Sequence, residues 1–169
     1  MHIRPVKADD IPAVQSVARL SWAHAYSGIY PPEYIEAFVE RAYSFQSLEQ
    51  SISRDEGDEE RKFLVAELEG AGVIGFLHMR KVDERTHELL RIYLLPEHQG
   101  EGAGTRLLHE AVRRNAVRRL EAWVEGQNAS ARRFYEGKGF RAIRYETQTF
   151  SGYTTQLVVY EKDYGRAIG

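Results

Sequence analysis

Three glycines, Gly100, Gly102 and Gly104, lie within five residues in the stretch QGEGAG, between an apolar segment and a segment with helical periodicity. Glycine is used where a backbone must adopt a positive φ angle or let a ligand approach the main chain closely. The amides at the start of a helix are unpaired, and together with the helix dipole they favour an anion such as a phosphate. The spacing therefore indicates a phosphate-binding turn, although an ordinary strand-to-helix turn would use the same glycines.

A second segment, NASARRFYEGKGF over 128–140, carries further candidate chemistry. Tyr135 is a phenol that can donate a proton, and Asn128 stands where a helix N-cap is expected. The stretch 99–104 fits the pattern Q/R-x-x-G-x-G/A, and the second segment fits N-x-x-A-x-x-x-Y-x-x-x-G-F. Together these motifs resemble the GNAT superfamily of N-acetyltransferases. The resemblance is specific over Glu88 to Phe140 and extends in outline from Arg61 to Glu161.

The resemblance implies acetyl-CoA as co-substrate, with no metal ion, and a coenzyme arm that enters between two splayed strands. These strands correspond to Leu89 to Leu95 and Leu120 to Glu125. Backbone amides would hold the diphosphate, so a Cβ added at Gly102 or Gly104 should matter more than a side-chain change at the neighbouring positions. The implied coenzyme-binding residues are Ile92, Tyr93, Leu94, Gln99, Gly100, Glu101, Gly102, Ala103, Gly104, Thr105 and Asn128. Arg133 is a further candidate, for the 3′-phosphate, and an exposed surface charge is its alternative interpretation.

Transfer of an acetyl group to an amine needs an unprotonated nucleophile, and alkyl amines titrate near ~10.4. A carboxylate acting directly or through water would help, and the resemblance implies Glu88, eleven residues before Gln99, as that base. Glu88 also begins its predicted strand, so a solvated end residue is an equal interpretation. His78 and Glu125 are weaker candidates for the same role, and a lone histidine in a strand is more often structural.

The resemblance implies that Tyr135 is the acid that protonates the departing thiolate. A phenol of pKa ~10 can protonate a thiolate whose conjugate acid lies near ~8.5, because the transfer is only modestly uphill. Core packing against Phe134 is the alternative interpretation. The chain has no cysteine and no visible Ser-His-Asp arrangement, so direct attack of the amine in a ternary complex is expected rather than a covalent acetyl-enzyme.

Aromatic and acidic side chains near the amino terminus are candidates for an acceptor pocket. The candidate substrate-binding residues are Trp22, Tyr26 and Tyr34, with Tyr30, Glu33 and Glu36 nearby. Such a wall suits a small cationic amine such as a polyamine. Packing of two helices on the sheet would use the same aromatic residues, above all Trp22. A protein N-terminus, a lysine, an aminoglycoside and an amino acid stay open as acceptors, as does a sensor domain that binds acetyl-CoA without turnover.

Apolar periodicity predicts the elements that must position these residues. A strand over 2–6 precedes two helices, one after Asp10 and one from Pro32, and 55–60 is a polar loop. Strands follow at 62–70, 72–80 and 88–95, then a helix at 104–118, a strand at 120–125, a helix at 128–136 and strands at 142–150 and 155–161. The order β-α-α-β-β-β-α-β-α-β-β predicts an α/β (α+β) fold, a GNAT-like mixed and largely antiparallel sheet of about seven strands with helices on both faces. A single N-acetyltransferase domain over residues 1–169 is expected.

Composition narrows the class of protein. The 169 residues have a net charge of -2 and no cysteine, which excludes a disulfide framework and thiolate zinc sites. The charge gives no reason to expect a nucleic-acid partner, and the arginines of 113–119 are interpreted as an exposed helix face. No apolar run approaches the ~20 residues of a bilayer span, so a cytoplasmic protein without a membrane partner is expected. The sequence does not decide between a monomer and a homodimer.

Overall fold

The computed structural model describes residues 1–165, which form one mixed sheet with helices on both faces. The strands are β1 His2–Pro5, β2 Phe63–Leu68, β3 Gly72–Lys81, β4 Thr86–Leu94, β5 Arg119–Glu125, β6 Arg141–Phe150 and β7 Tyr153–Asp163. The helices are α1 Ile11–Tyr26, α2 Pro32–Ala42, α3 Phe45–Glu56, α4 Ala103–Arg114 and α5 Ala129–Gly137. The sheet order is β1-β2-β3-β4-β5-β7-β6, in which only the β4–β5 pair of this described part is parallel. The predicted fold class is confirmed.

One helix, α3, is missing from the predicted order of elements. The Ser44 hydroxyl caps its start by accepting from the Ser47 amide at 3.1 Å, and Leu48 and Ile52 form its buried face. Asp55, placed by the sequence in a solvated loop, is buried, and its carboxylate accepts from the Lys62 amide at 2.6 Å. The polar loop therefore begins only after Glu56, because the end of the helix is fixed to the start of β2.

The helix α4 ends at Arg114, four residues before the predicted end at Arg118. The Asn115 side chain turns back and donates to the Ala111 carbonyl at 3.0 Å, and the Asn115 backbone amide donates to the same carbonyl at 3.2 Å. Ala116 then adopts a positive φ of 47°, which stops the helix.

Two apolar cores occupy the two faces of the sheet. On one face, here called the α4 face, Leu107 and Ala111 of α4 pack with Leu120 and Val124 of β5 and with Tyr135 of α5. On the other, here called the α1 face, residues of α1, α2 and α3 pack against β2 and β3. Alternation along a strand then sends the intervening residues of β5, which are Glu121, Trp123 and Glu125, to the α1 face.

The strands β4 and β5 pair over only part of their length. Their ladder runs from Thr86 opposite Arg119 to Leu89 opposite Ala122. A register shift on β4 falls at Leu90, directly after the last pair, and such a bulge bends and twists a strand. From Trp123 onward β5 pairs with β7 alone. An opening thus forms in the sheet between residues 90–94 of β4 and 123–125 of β5, within the two segments that the family resemblance implied to be splayed.

Candidate active site

Main-chain amides of β4 face this opening. The Leu95 amide donates to the Ile74 carbonyl at 2.8 Å, and residues that hydrogen-bond to an antiparallel neighbour alternate along the strand. Ile92 and Leu94 therefore direct their amides to the opening. The Tyr93 amide points to β3 instead, because of the same alternation, so the expectation that all three amides face the opening is corrected at Tyr93.

The glycine-rich loop leads into α4 with free amides. Gly102 is the N-cap of α4 and has a φ of 87°, while Gly100 has a φ of 79°. Residues with a Cβ adopt such left-handed angles at a cost of roughly 1–2 kcal/mol. Gly102 has no side chain with which to cap the first turn of α4. The amides of the first turn, which include those of Ala103 and Thr105, are thus left for a bound anion, and the loop fits the diphosphate of a coenzyme.

The other residues of the loop do not require a glycine conformation. A Cβ placed on Gly104 would lie 3.5 Å from the side chains of Leu94 and Phe134, which is ordinary contact, so the fold itself does not require glycine there. Gln99 donates to the Leu94 carbonyl at 3.4 Å, and the exposed Glu101 pairs with His98 at 3.3 Å. The conformational requirement for glycine is therefore carried by positions 100 and 102.

The helix α5 begins beside the opening. Asn128 is its N-cap, and the Asn128 Oδ1 accepts from the Ala131 amide at 3.1 Å, while the side-chain amide nitrogen lies beside the Tyr26 hydroxyl. Arg133 is exposed on α5. Its neighbour Arg132 donates instead to the Tyr160 hydroxyl at 3.0 Å and holds α5 against β7.

Tyr135 lies on the α4 face of the sheet, next to the opening. Its ring contacts Phe134 and Phe140 edge-on and stacks on Tyr160, and 7% of its surface is exposed. Burial raises the pKa of Tyr135 above its ordinary value, and the neighbouring Tyr26 raises it further. The phenol is therefore protonated at neutral pH and can donate, and the predicted core packing holds together with that role.

Tyr26 connects the two faces at the opening. Its hydroxyl lies beside the side chains of Tyr93 and Asn128, both of which favour its charged form. Burial is the larger effect and raises the pKa of Tyr26, as does the nearby charge of Glu125. Tyr26 is the last residue of α1, so the end of this helix is placed against the opening.

Glu88 does not lie at the opening but in the part of β4 that is still paired with β5. It is opposite Glu121 on β5, and its carboxylate pairs with Arg80 of β3 at 2.6 Å. Leu89 packs in the core of the α4 face, so Glu88 projects to the α1 face one residue before the strands separate. The structure thus does not bring Glu88 to the amides of Ile92 and Leu94. Its role as base stays a prediction.

Glu125, ranked below Glu88 by sequence, lies at the opening. It ends β5, its residue is 6% exposed, and the Tyr30 hydroxyl donates to its Oε2. The Gln127 amide approaches its Oε1 at 3.3 Å. One sequence signal was available: in a strand, Glu125 must face opposite to the apolar Val124, and it stands three residues before Asn128.

His78, the other weaker candidate, is separated from the opening by β4. Its ring stacks on Phe63 with centroids 4.5 Å apart, and its Nδ1 is buried without a partner among the described residues. Burial lowers the pKa of His78 to about 3, and the charge of Arg91 acts in the same direction. This histidine is neutral and structural.

The aromatic residues expected to line an acceptor pocket fall into two groups. Trp22 stacks on Phe38 at 4.2 Å, and Tyr34 stacks on Tyr30 at 4.2 Å with Phe150 edge-on at 5.5 Å. Both Trp22 and Tyr34 are largely buried, which agrees with the packing interpretation. Tyr26 and Tyr30 reach the opening with their hydroxyl groups, so these two are the aromatic candidates that can contact an acceptor.

Comparison with known proteins assigns the family. The sequence profile of the acetyltransferase (GNAT) family matches residues 20–140. This chain belongs to the GNAT family. The spermidine N(1)-acetyltransferase of Thermoplasma acidophilum is 33% identical over 144 residues, which cover 83% of this chain and 88% of that protein. The crystal structure of the PaiA N-acetyltransferase from Thermoplasma acidophilum in complex with coenzyme A matches with a TM-score of 0.82 and 31% identity, over 96% of this chain and 98% of that chain.

This GNAT protein is an acetyl-CoA-dependent N-acetyltransferase, with acetyl-CoA as its co-substrate. The ribosomal-protein-S18-alanine N-acetyltransferase from Escherichia coli has the same fold, with a TM-score of 0.70 at 16% identity over 98% of this chain and 95% of that chain. Within residues 1–165, no three histidine or acidic side chains are grouped to hold a metal ion. In the same range, no helix combines the length and apolar composition needed to cross a bilayer.

Proposed function

We propose that this enzyme acetylates a primary amine of a small polycation, a polyamine of the spermidine type, by direct attack in a ternary complex. The observation that carries the proposal is the α1-face end of the opening, where the buried Glu125 carboxylate lies beside the phenols of Tyr26 and Tyr30. A carboxylate and aromatic rings together favour an ammonium ion. The similarity to a spermidine N(1)-acetyltransferase over most of both chains supports the same acceptor class.

The coenzyme is assigned to the α4 side of the opening. The amides that follow Gly102 would bind the diphosphate, and the amides of Ile92 and Leu94 would bind the arm and the thioester oxygen. The side-chain nitrogen of Asn128 has two hydrogens, and the one not directed to Tyr26 would donate to the same arm. Tyr135, which lies on the helix that Asn128 caps, would protonate the departing thiolate, since burial keeps its hydroxyl protonated.

The acceptor specificity is tested by thiol release from acetyl-CoA over a panel of amines: spermidine, spermine, putrescine, a peptide with a free alanine N-terminus and a lysine peptide. We expect kcat/KM for spermidine to exceed that for either peptide by about tenfold or more, a difference of roughly 1.4 kcal/mol in transition-state binding. A preference for a peptide would overturn the polyamine assignment.

A domain that binds acetyl-CoA as a sensor, without turnover, is the rival from another class. It predicts heat of acetyl-CoA binding in calorimetry with no thiol release on any amine. The Tyr135→Phe variant separates the two, because its thiol release should fall while its coenzyme binding stays the same if the protein is an enzyme.

A further inference from the structure

Glu125 differs from the other buried carboxylates of the protein in its partners. Asp10 pairs with Arg4 at 2.9 Å, and Asp55 pairs with Arg61 at 2.7 Å. No lysine, arginine or histidine nitrogen of residues 1–165 lies within 4.0 Å of the Glu125 carboxylate. A buried carboxylate is costly unless a cation or several hydrogen bonds compensate for it.

The groups that hold Glu125 are neutral donors. The Tyr30 hydroxyl donates to its Oε2, and the Gln127 amide lies 3.3 Å from its Oε1. Tyr30 lies in the segment between α1 and α2, so this hydrogen bond links that segment to the end of β5 at the opening. Two neutral donors leave the charge of the carboxylate without a counter-ion among residues 1–165.

The position of Glu125 also suits a group that contacts the acceptor amine. It lies beyond Leu89 and Ala122, the last pair of the ladder, and on the opposite face of the sheet from Tyr135. An amine that approaches from the α1 face would meet Glu125 before it reaches the amides of Ile92 and Leu94. Glu88, in contrast, is already neutralised by Arg80 and lies where the strands are still paired.

We propose that the Glu125 carboxylate binds the ammonium group of the acceptor in place of the Tyr30 hydroxyl and takes its proton, which makes Glu125 the general base of the reaction. This inference rests on the proposed function, since it needs an amine acceptor. Glu125 thereby takes the role that the family resemblance implied for Glu88.

The step balances in protons and electrons. One proton passes from the ammonium nitrogen to Glu125, and the nitrogen lone pair forms a bond to the acetyl carbon of the thioester. The carbon–sulfur bond then breaks with its electron pair on sulfur, and the Tyr135 hydroxyl protonates that sulfur. The second proton that the nitrogen must lose leaves to solvent or to Tyr135, so an ammonium ion and acetyl-CoA give an amide, a thiol and one proton.

The test compares Glu125→Gln with Glu121→Gln. Glutamine keeps an oxygen that can accept from Tyr30 but removes the charge. Glu121 lies on the same face of β5, and its carboxylate already pairs with Arg119 at 3.1 Å, which makes it a matched control. Both variants and the wild type are assayed with spermidine for kcat and KM from pH 6 to pH 10. Calorimetry measures acetyl-CoA binding and the binding of spermidine to the CoA-saturated protein, and thermal melts measure stability.

We expect Glu125→Gln to lose about 100-fold or more in kcat at neutral pH, the range of a general base. Its kcat should rise about tenfold per pH unit, because only amine that is already unprotonated can react. Spermidine affinity should fall, acetyl-CoA affinity should stay within about twofold, and the Tm should be equal or higher, since an uncompensated buried charge has been removed. Glu121→Gln should keep the kcat profile of the wild type.

The outcomes separate this inference from the proposed function. If the wild type acetylates spermidine while Glu125→Gln keeps kcat within about threefold and the same pH profile and spermidine affinity, the role of Glu125 is overturned and the proposed function stands. A peptide preference overturns the polyamine assignment, and the role of Glu125 then stands only if Glu125→Gln loses about 100-fold in kcat on that peptide amine. A wild type that neither binds nor acetylates any amine overturns both. A fall in Tm with an unchanged pH profile would mark Glu125 as structural only.

Discussion

Leu89 on β4 and Ala122 on β5 form the last pair of the parallel ladder, and the two strands separate beyond it. Both side chains pack in the core of the α4 face, so they close the lower end of the opening with apolar groups. Above this pair, Tyr135 lies on the α4 face and Glu125 on the α1 face. In the proposed reaction, this arrangement of a proton donor and a carboxylate on opposite faces would let the amine approach from one side while the thiolate leaves on the other.

The conformation of Gly102 should be needed for coenzyme binding beyond its effect on stability. Gly102→Val forces a β-branched residue to a φ of 87°, which costs roughly 1–2 kcal/mol and moves the amides at the start of α4. We expect the Kd for acetyl-CoA to rise about tenfold or more in calorimetry. Gly70→Val is the matched control: its φ is 84°, and at neither glycine would a Cβ meet any atom within 4 Å. It should lower the Tm similarly and leave the Kd unchanged.

The Tyr135 hydroxyl should act in the chemical step alone. Tyr135→Phe keeps the ring contacts with Phe134 and Phe140, so the Tm and the Kd for acetyl-CoA should stay as in the wild type. We expect kcat to fall about 100-fold. Because burial raises the pKa of Tyr135, its acid form persists in alkaline solution, and kcat of the wild type should not decline up to about pH 10. Tyr145→Phe, at an exposed position on β6, should change none of these quantities.

Gly75 should be required for the position of the end of β4. A Cβ there would lie 2.3 Å from the Leu94 Cδ2 and 2.8 Å from the Tyr93 carbonyl oxygen, both too close. Gly75→Ala should therefore lower the free energy of unfolding by about 1–3 kcal/mol in urea titrations, as overpacking does. It should also weaken acetyl-CoA binding, because the Leu94 amide moves. Adding Leu94→Ala should recover part of the stability, and the absence of any recovery would place the strain at the backbone oxygen alone.

The sequence predicts those parts of the site that local conformation determines. The glycine spacing marks the turn at Gly100 and Gly102, where φ is positive, and the second motif places Asn128 at the start of α5 and Tyr135 on it. Apolar periodicity predicts the seven strands, and four of the five helices, in their order along the chain. Each of these features depends on neighbours a few residues apart, so a single sequence carries the information.

Features that depend on distant partners are less visible in the sequence. The helix α3 is short of apolar residues, and its end is fixed by hydrogen bonds that the amides of Lys62 and Phe63 donate to the Asp55 carboxylate. Glu88 and Glu125 look alike in the sequence, and only the fold shows that Arg80 neutralises the first while the second meets Tyr30. The direction of the Tyr93 amide likewise depends on its pairing with β3.

His78 should make the protein less stable in acid. Burial lowers its pKa in the folded state to about 3, with Arg91 acting in the same direction, against ~6.5 in an unfolded chain. Between these values the unfolded state binds a proton that the folded state does not, so the free energy of unfolding falls as the pH falls, by up to about 1.4 kcal/mol per pH unit. The His78→Leu variant has no such group and should not show this loss of stability in acid. In urea titrations from pH 7 to pH 4, the free energy of unfolding should fall more for the wild type than for the variant. A constant difference between the two proteins would contradict the neutral state of His78.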